Sequence, residues 1–145
     1  MTKALTFGFH HGGISVPDLD EALDWYERVL GFKLLRQFDI PQIPARVAEV
    51  KNGDLHMEIF EAPGAAPLPD ERRLPDTDNR THGNKHVSFI IANVEEFAEV
   101  LKERGADIVW VKRMPHGANI FIRDCAGNLI EFVEGAIPAG IPGQL

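Results

Sequence analysis

The stretch HGGISVPD, residues 11–18, recurs in pattern as HVSFIIAN at residues 86–93. Each copy begins with a His in a strand-like run and ends seven positions later with an Asx residue, Asp18 or Asn93. A Glu follows each Asx residue by three positions. This spacing is typical of a helix start, because the Asx side chain accepts a free backbone N–H and the carboxylate faces the positive end of the helix dipole. The same spacing in two places indicates an internal repeat.

Hydrophobic periodicity extends this repeat beyond the two quoted segments. Helical spacing predicts one helix that buries Leu19, Ala22, Leu23, Tyr26, Val29 and Leu30, and another that buries Val94, Phe97, Ala98 and Leu101. Three strand-like runs follow each helix, at 33–40, 45–51 and 55–61 and again at 107–113, 118–123 and 128–133. We therefore predict one α+β domain built from two paired βαβββ modules. The modules span 5–62 and 84–134, the linker 63–83 has no helix or strand pattern, and 135–145 is a tail.

The composition limits the class of protein. The chain has 145 residues, of which 44% are hydrophobic, and a formal net charge of −7, which suits a compact globular domain. Nucleic acid and anionic membranes are poor partners for such a charge, since both are negative. No apolar run approaches the roughly 20 residues that cross a bilayer. Cys125 is the only cysteine, which excludes an intrachain disulfide, and we expect a cytoplasmic protein.

One face of the predicted strands carries imidazoles and carboxylates. Alternate residues of a strand share a face, so the first strand of each module places a His there, His11 or His86, and the last strand places a Glu, Glu58 or Glu131. A carboxylate in this position persists only if it is paired, hydrogen-bonded or bound to a cation. Two modules placed face to face would bring two His and two Glu together. This set suits a divalent ion and leaves positions open for two substrate oxygens.

Further side chains are weaker candidates for the site. His56 lies two positions before Glu58 and is either the ligand in its place or a partner of the ligands. Candidate substrate contacts are His56, Arg80, His82 and His116, although solvated loop positions are the simpler interpretation of the last three. The aromatic residues Trp25, Tyr26 and Trp110 are expected to pack in the helix–sheet layer or at a subunit interface.

Two segments resemble a known family: residues 11–32, which end in VLGF, and residues 123–131, which read RDCAGNLIE. Both are similar to the vicinal oxygen chelate superfamily, which includes glyoxalase I, methylmalonyl-CoA epimerase, fosfomycin-resistance proteins, bleomycin-binding proteins and extradiol dioxygenases. The resemblance covers nearly all of the chain except the linker and tail. It implies that the two paired modules form a cupped mixed sheet around a metal site. It also implies a homodimer and a divalent metal (Ni, Co, Mn, Zn or Fe) at the positions of His11, Glu58, His86 and Glu131.

The ligand pattern is more similar to glyoxalase I and the epimerases than to other members. It implies a lyase or isomerase for a small oxygenated substrate, with a metal-stabilised enolate or enediolate and with Glu58 or Glu131 as the proton-moving base. The positions that bacterial glyoxalase I uses for glutathione are Ser15 and Ala62 here, which disfavours glutathione as cosubstrate. Two alternatives stay open. One is an Fe(II) ring-cleaving dioxygenase that uses His11, His86 and Glu131, and the other is a metal-free drug- or metabolite-binding protein.

Overall fold

The computed structural model describes residues 4–138 and contains the βαβββ unit twice. The first module consists of β1 (Gly12–Ser15), α1 (Leu19–Leu30), β2 (Lys33–Ile40), β3 (Ala45–Asn52) and β4 (Leu55–Glu61). A 3-10 turn (Asp70–Arg73) and the one-turn helix α2 (Pro75–Asp78) follow. The second module consists of β5 (Val87–Ile91), α3 (Val94–Glu103), β6 (Asp107–Met114), β7 (Gly117–Arg123) and β8 (Leu129–Glu134). The predicted α+β class with paired modules is confirmed.

Each module forms its own four-stranded mixed sheet. The strand orders are β1-β4-β3-β2 and β5-β8-β7-β6, and in both sheets the first strand runs parallel to the last. β1 and β5 are therefore edge strands. Bulges interrupt the pairing at equivalent places, between Leu34 and Arg36 in β2 and between Ile108 and Trp110 in β6.

Two side chains hold the start of each long helix. Asp18 accepts the backbone N–H three residues ahead (2.9 Å), and Glu61, at the end of β4, accepts the first N–H of α1 (2.7 Å). Asn93 and Glu134 repeat both bonds at α3, at 2.8 and 3.0 Å. The predicted helix starts are confirmed, and each helix is tied to its own sheet at its first turn.

The two modules share one hydrophobic core, to which α1, α3 and the apolar faces of both sheets contribute. Several contacts cross from one module to the other. The Tyr26 hydroxyl donates to Asp124 (3.0 Å), Arg104 donates to a carbonyl of α1 (3.1 Å), and the rings of Phe32 and Phe89 pack with centroids 5.9 Å apart. Burial, followed by the nearby Asp124 carboxylate, raises the pKa of Tyr26. These contacts fix the orientation of one module relative to the other.

The linker contains more regular structure than its composition predicts. The prediction of no helix is wrong at 70–78, where the 3-10 turn and α2 form. Buried Asp78 accepts from Arg72 Nε (2.9 Å) and lies 3.3 Å from Lys85 Nζ, so tertiary ion pairs rather than local propensity stabilise this segment. None of the helices within residues 4–138 has the length and hydrophobicity to span a bilayer. Residues 139–145 of the predicted tail lie outside the described residues.

Candidate metal centre

The first module places His11 and Glu58 side by side on the sheet face that points away from the helices, here called the open face. Gly13 on β1 pairs with Glu58 on β4, so His11, two residues before Gly13, lies on the same side. The Nε2 atom of His11 is 3.5 Å from Oε2 of Glu58, and the Glu58 side chain is only 17% exposed.

The second module repeats this pair with His86 and Glu131. Ser88 on β5 pairs with Glu131 on β8, which again places the preceding His on the open face. The Nε2 atom of His86 is 3.2 Å from Oε2 of Glu131, whose side chain is 16% exposed. The structure thus brings the predicted residues together two by two.

The two pairs do not meet within one chain. Among residues 4–138, no three His, Cys, Asp or Glu side chains are arranged to hold a metal ion together. A cavity of about 1130 Å³ lies between β1, β5 and the linker, and of the four side chains His86 alone lines it. Each module therefore supplies half of the predicted ligand set.

Each half fits a metal ion by its donor chemistry and its spacing. Two ligands at about 2.1 Å from one ion and at angles of about 90–109° lie about 3.0–3.4 Å apart. The two His–Glu separations, 3.5 and 3.2 Å, are close to this range. In the described part of the chain, neither Glu58 nor Glu131 forms an ion pair with a Lys or Arg, so a cation would supply the missing positive charge.

A polar and aromatic wall lies beside the pair in the second module. The Trp110 indole N–H donates to Oδ1 of Asn119 (3.2 Å), and Nδ2 of Asn119 donates to Oε1 of Glu131 (2.8 Å). Phe121 packs edge-on between Trp110 and His86, at centroid distances of 5.2 and 4.9 Å. Trp110 therefore lies on the open face, so the prediction of the helix–sheet layer is wrong for this residue, and the alternative of a subunit interface stays a prediction. Sequence reasoning also missed Asn119 and Phe121.

The wall of the first module is charged instead. Arg36 on β2 donates two hydrogen bonds to Glu49 on β3 (2.7 and 2.6 Å), and this guanidinium lowers the pKa of Glu49. Arg36 also lies over the ring of Phe38, 5.2 Å from its centroid. Glu49 pairs directly with Glu58 across the strands. The two modules thus present the same His–Glu pair beside different neighbours.

The remaining candidates lie apart from the two pairs or at their margin. His56 is on the open face with Glu58, but its ring lies near that of His10, with centroids 6.2 Å apart. His116 occupies the exposed turn between β6 and β7. Arg80 and His82 are exposed in the linker after α2. The described contacts join none of these last three to a His–Glu pair.

Comparisons with known proteins agree with this architecture. The sequence profile of the Glyoxalase/Bleomycin resistance protein/Dioxygenase superfamily matches residues 8–132. A lactoylglutathione lyase of Neisseria meningitidis is 30% identical over 130 residues, which cover 86% of this chain and 88% of that protein. The mitochondrial methylmalonyl-CoA epimerase of Bos taurus is 27% identical over 131 residues, or 86% of this chain and 73% of that protein.

A solved structure shows the same fold. The structure of a glyoxalase family protein from Enterococcus faecalis matches with a TM-score of 0.74 and 23% identity. The match covers 88% of this chain and 97% of that chain. At this identity the likeness shows the fold and leaves the substrate open.

Proposed function

Because this chain belongs to the glyoxalase/bleomycin resistance protein/dioxygenase superfamily, we propose that it is a divalent-metal-dependent lyase or isomerase. Its substrate is a small molecule that binds through two neighbouring oxygens, and the reaction moves a proton on the adjacent carbon. The related lyase and epimerase support an enzymatic activity of this general kind. The observation that carries the proposal is the His–Glu pair, which recurs at equivalent positions of both modules with contacts of 3.5 and 3.2 Å.

His11, Glu58, His86 and Glu131 are the residues that would hold the ion. Members of this superfamily typically use divalent metals. Two imidazole nitrogens with two carboxylate oxygens suit Ni, Co, Mn, Zn or Fe better than Mg or Ca, which prefer oxygen ligands alone. When bound, the ion supplies Lewis-acid stabilisation for the negative charge that develops on a substrate oxygen.

The carboxylates supply the acid–base chemistry of the proposed reaction. Glu58 or Glu131 accepts the proton from the substrate carbon and returns it to the neighbouring position. Both side chains are mostly buried, so little water surrounds the oxygen that moves the proton.

We also propose that two copies of the chain complete each site. To bring both pairs together within one chain, the modules would have to rotate and break the Tyr26–Asp124 hydrogen bond and the Arg104 contact with α1. They would also have to open the shared core. A second copy supplies the missing pair without this rearrangement. In a twofold-symmetric dimer, the first module of each copy would face the second module of the other, which gives two equivalent sites.

The segment before β1 supports a second copy as partner. Leu5, Phe7 and Phe9 occupy alternate positions there and are 88, 88 and 78% exposed. Large apolar side chains in a row cost free energy in water unless another surface covers them. This segment leads directly into His11, so its burial on a second copy would occur next to the proposed site.

The proposed substrate is not a glutathione conjugate. Ser15, at the position where bacterial glyoxalase I carries an Arg for glutathione, is short and uncharged, and Ala62 stands where that enzyme carries an Asn. The Ala62 side chain has no hydrogen-bonding group, and the single short hydroxyl of Ser15 cannot reproduce the charged, bidentate contact of a guanidinium. We therefore expect a small oxygenated metabolite without a peptide thiol carrier.

Metal analysis tests the proposal directly. Protein purified anaerobically without chelator is analysed by plasma mass spectrometry beside a His86→Ala, Glu131→Ala double variant, with His116→Ala as the control. We expect near-stoichiometric metal in the wild type and control and its loss in the double variant. Protein that holds no metal even after reconstitution would contradict the proposal and favour a metal-free binding protein.

The identity of the metal and one further substitution separate the remaining activities. If the bound metal is nickel, cobalt, manganese or zinc, substrates for proton transfer are screened. If it is iron, catechols are tested as substrates in the presence of oxygen. Glu58→Gln should abolish metal binding or turnover in a lyase or isomerase. The same change should leave a dioxygenase nearly unaffected, because only His11, His86 and Glu131 would hold its iron.

A further inference from the structure

The two oxygens of the Glu131 carboxylate have different partners. Oε2 faces Nε2 of His86 at 3.2 Å, whereas Oε1 accepts a hydrogen bond from Nδ2 of Asn119 at 2.8 Å. A carboxylate bound in this way keeps one oxygen for a cation and has the other fixed by a donor. Its rotation about the last side-chain bond is thereby restrained.

Trp110 fixes the direction of this hydrogen bond. An indole N–H can only donate, and it lies 3.2 Å from the Asn119 amide. The amide oxygen must therefore face Trp110, and the NH₂ group must face Glu131. The indole ring is itself held edge-on against Phe121 (5.2 Å), which packs edge-on against His86 (4.9 Å). The five side chains form a closed set of contacts that begins and ends at the His–Glu pair.

The first module has no such arrangement, although its strands pair in the same way. Strand register places Val47 where the second module has Asn119, and Arg36 where it has Trp110. A valine has no hydrogen-bonding group in its side chain, so this position offers no donor to Glu58. The βαβββ fold therefore does not require the amide, and its presence beside Glu131 calls for a separate explanation.

We propose that Asn119 and Trp110 are positioning residues that hold Glu131 as a one-oxygen metal ligand. This inference rests on the proposed metal site. A hydrogen bond to a ligating carboxylate lowers the entropy that is lost on metal binding and fixes which oxygen is offered to the ion. Trp110 acts one step further away, because it keeps the Asn119 amide in the orientation that donates.

Metal affinity of three variants tests the proposal. Asn119→Val places the first module's residue in the second, Trp110→Phe keeps an aromatic ring but removes the N–H, and Trp25→Phe is the matched change at a buried indole of α1. Co²⁺ affinity is measured on the purified, metal-free protein by competition with a chromophoric chelator. We expect affinity to fall about 10- to 100-fold for Asn119→Val. It should fall about two- to tenfold for Trp110→Phe and remain unchanged for Trp25→Phe.

The Co²⁺ spectrum and thermal melting separate positioning from a general loss of stability. Loss of the amide donor should change the visible bands of bound Co²⁺, since the freed oxygen of Glu131 then reaches the ion, while the melting temperature of the metal-free variant stays near that of the wild type. Wild-type affinity and spectrum in Asn119→Val would overturn the positioning role alone. A wild-type protein that binds no Co²⁺ would overturn the proposed function and this inference together.

Discussion

Mixing two variants that each lack half of the proposed metal ligands tests whether the metal site is shared between two copies of the chain. One variant carries His11→Ala and Glu58→Ala, and the other carries His86→Ala and Glu131→Ala, so neither alone has a site with all four ligands. In a dimer with shared sites, a mixed pair of chains contains one site with four native ligands and one with none. If each site lay within one chain, both sites of the mixed dimer would lack two ligands.

The expected recovery follows from the symmetry of the dimer. Random exchange of equal amounts makes about half of the dimers mixed, each with one of two sites intact, so the mixture recovers about one quarter of the wild-type metal. Isolation of the mixed dimer with two different affinity tags raises this to about one half. Metal is counted by plasma mass spectrometry. A mixture of His11→Ala with Glu58→Ala chains is the control, since both changes affect the first module and no site regains four ligands. A purified mixed dimer without metal would refute the shared site.

Other contacts give smaller, independent predictions. Tyr26→Phe removes one hydrogen bond to buried Asp124 and should lower the free energy of unfolding by about 1–2 kcal/mol in urea denaturation, and an unchanged midpoint would argue against this link between modules. Asp78→Asn leaves two cations without their carboxylate and should cost about 2–4 kcal/mol by the same measurement. Arg113 and a backbone N–H lower the pKa of Glu134 below the ordinary 4.5, so the charged form stabilises the fold above that pH. Glu134→Gln should therefore reduce the melting temperature at pH 7, and its difference from wild type should shrink as the pH falls below 4.5 and disappear only below the lowered pKa of Glu134. Replacement of Leu5, Phe7 and Phe9 by Ser should raise the dissociation constant of the dimer by about tenfold or more in sedimentation experiments. An unchanged dissociation constant would contradict a role of this segment in the dimer.

The elements could be predicted because their signals are local. Helical periodicity, the Asx caps and the alternation of strand residues depend on neighbours a few positions away, and the predicted helix starts agree with the hydrogen bonds of Asp18 and Asn93. The two His–Glu pairs could be predicted from the same alternation of strand residues in each module. Each pair requires only that the first strand of a module lies in register beside its last strand, and the repeated sequence pattern predicts this pairing.

The residues around the second pair could not be predicted in the same way. The bulge between Ile108 and Trp110 shifts the alternation of β6, so the sequence alone does not show which face Trp110 occupies. Its contact with Asn119 depends on the pairing of β6 with β7. The helical turn at 75–78 was missed for a related reason, because its stability comes from the contacts of Asp78 with Arg72 and Lys85. The separation of the two pairs depends on how whole modules pack, which no local pattern reports.

The unlike walls of the two modules bear on the direction in which a substrate binds. Two identical halves would surround an ion with rotationally equivalent neighbours, and a substrate could bind in either of two directions related by the pseudo-twofold axis. Here register-equivalent positions carry Arg36 and Glu49 on one side and Trp110 and Phe121 on the other. In a site built from one wall of each kind, a substrate with a polar end and a flat apolar end has a single preferred direction. The difference between the two walls would therefore select one of two otherwise equivalent orientations of a bound substrate.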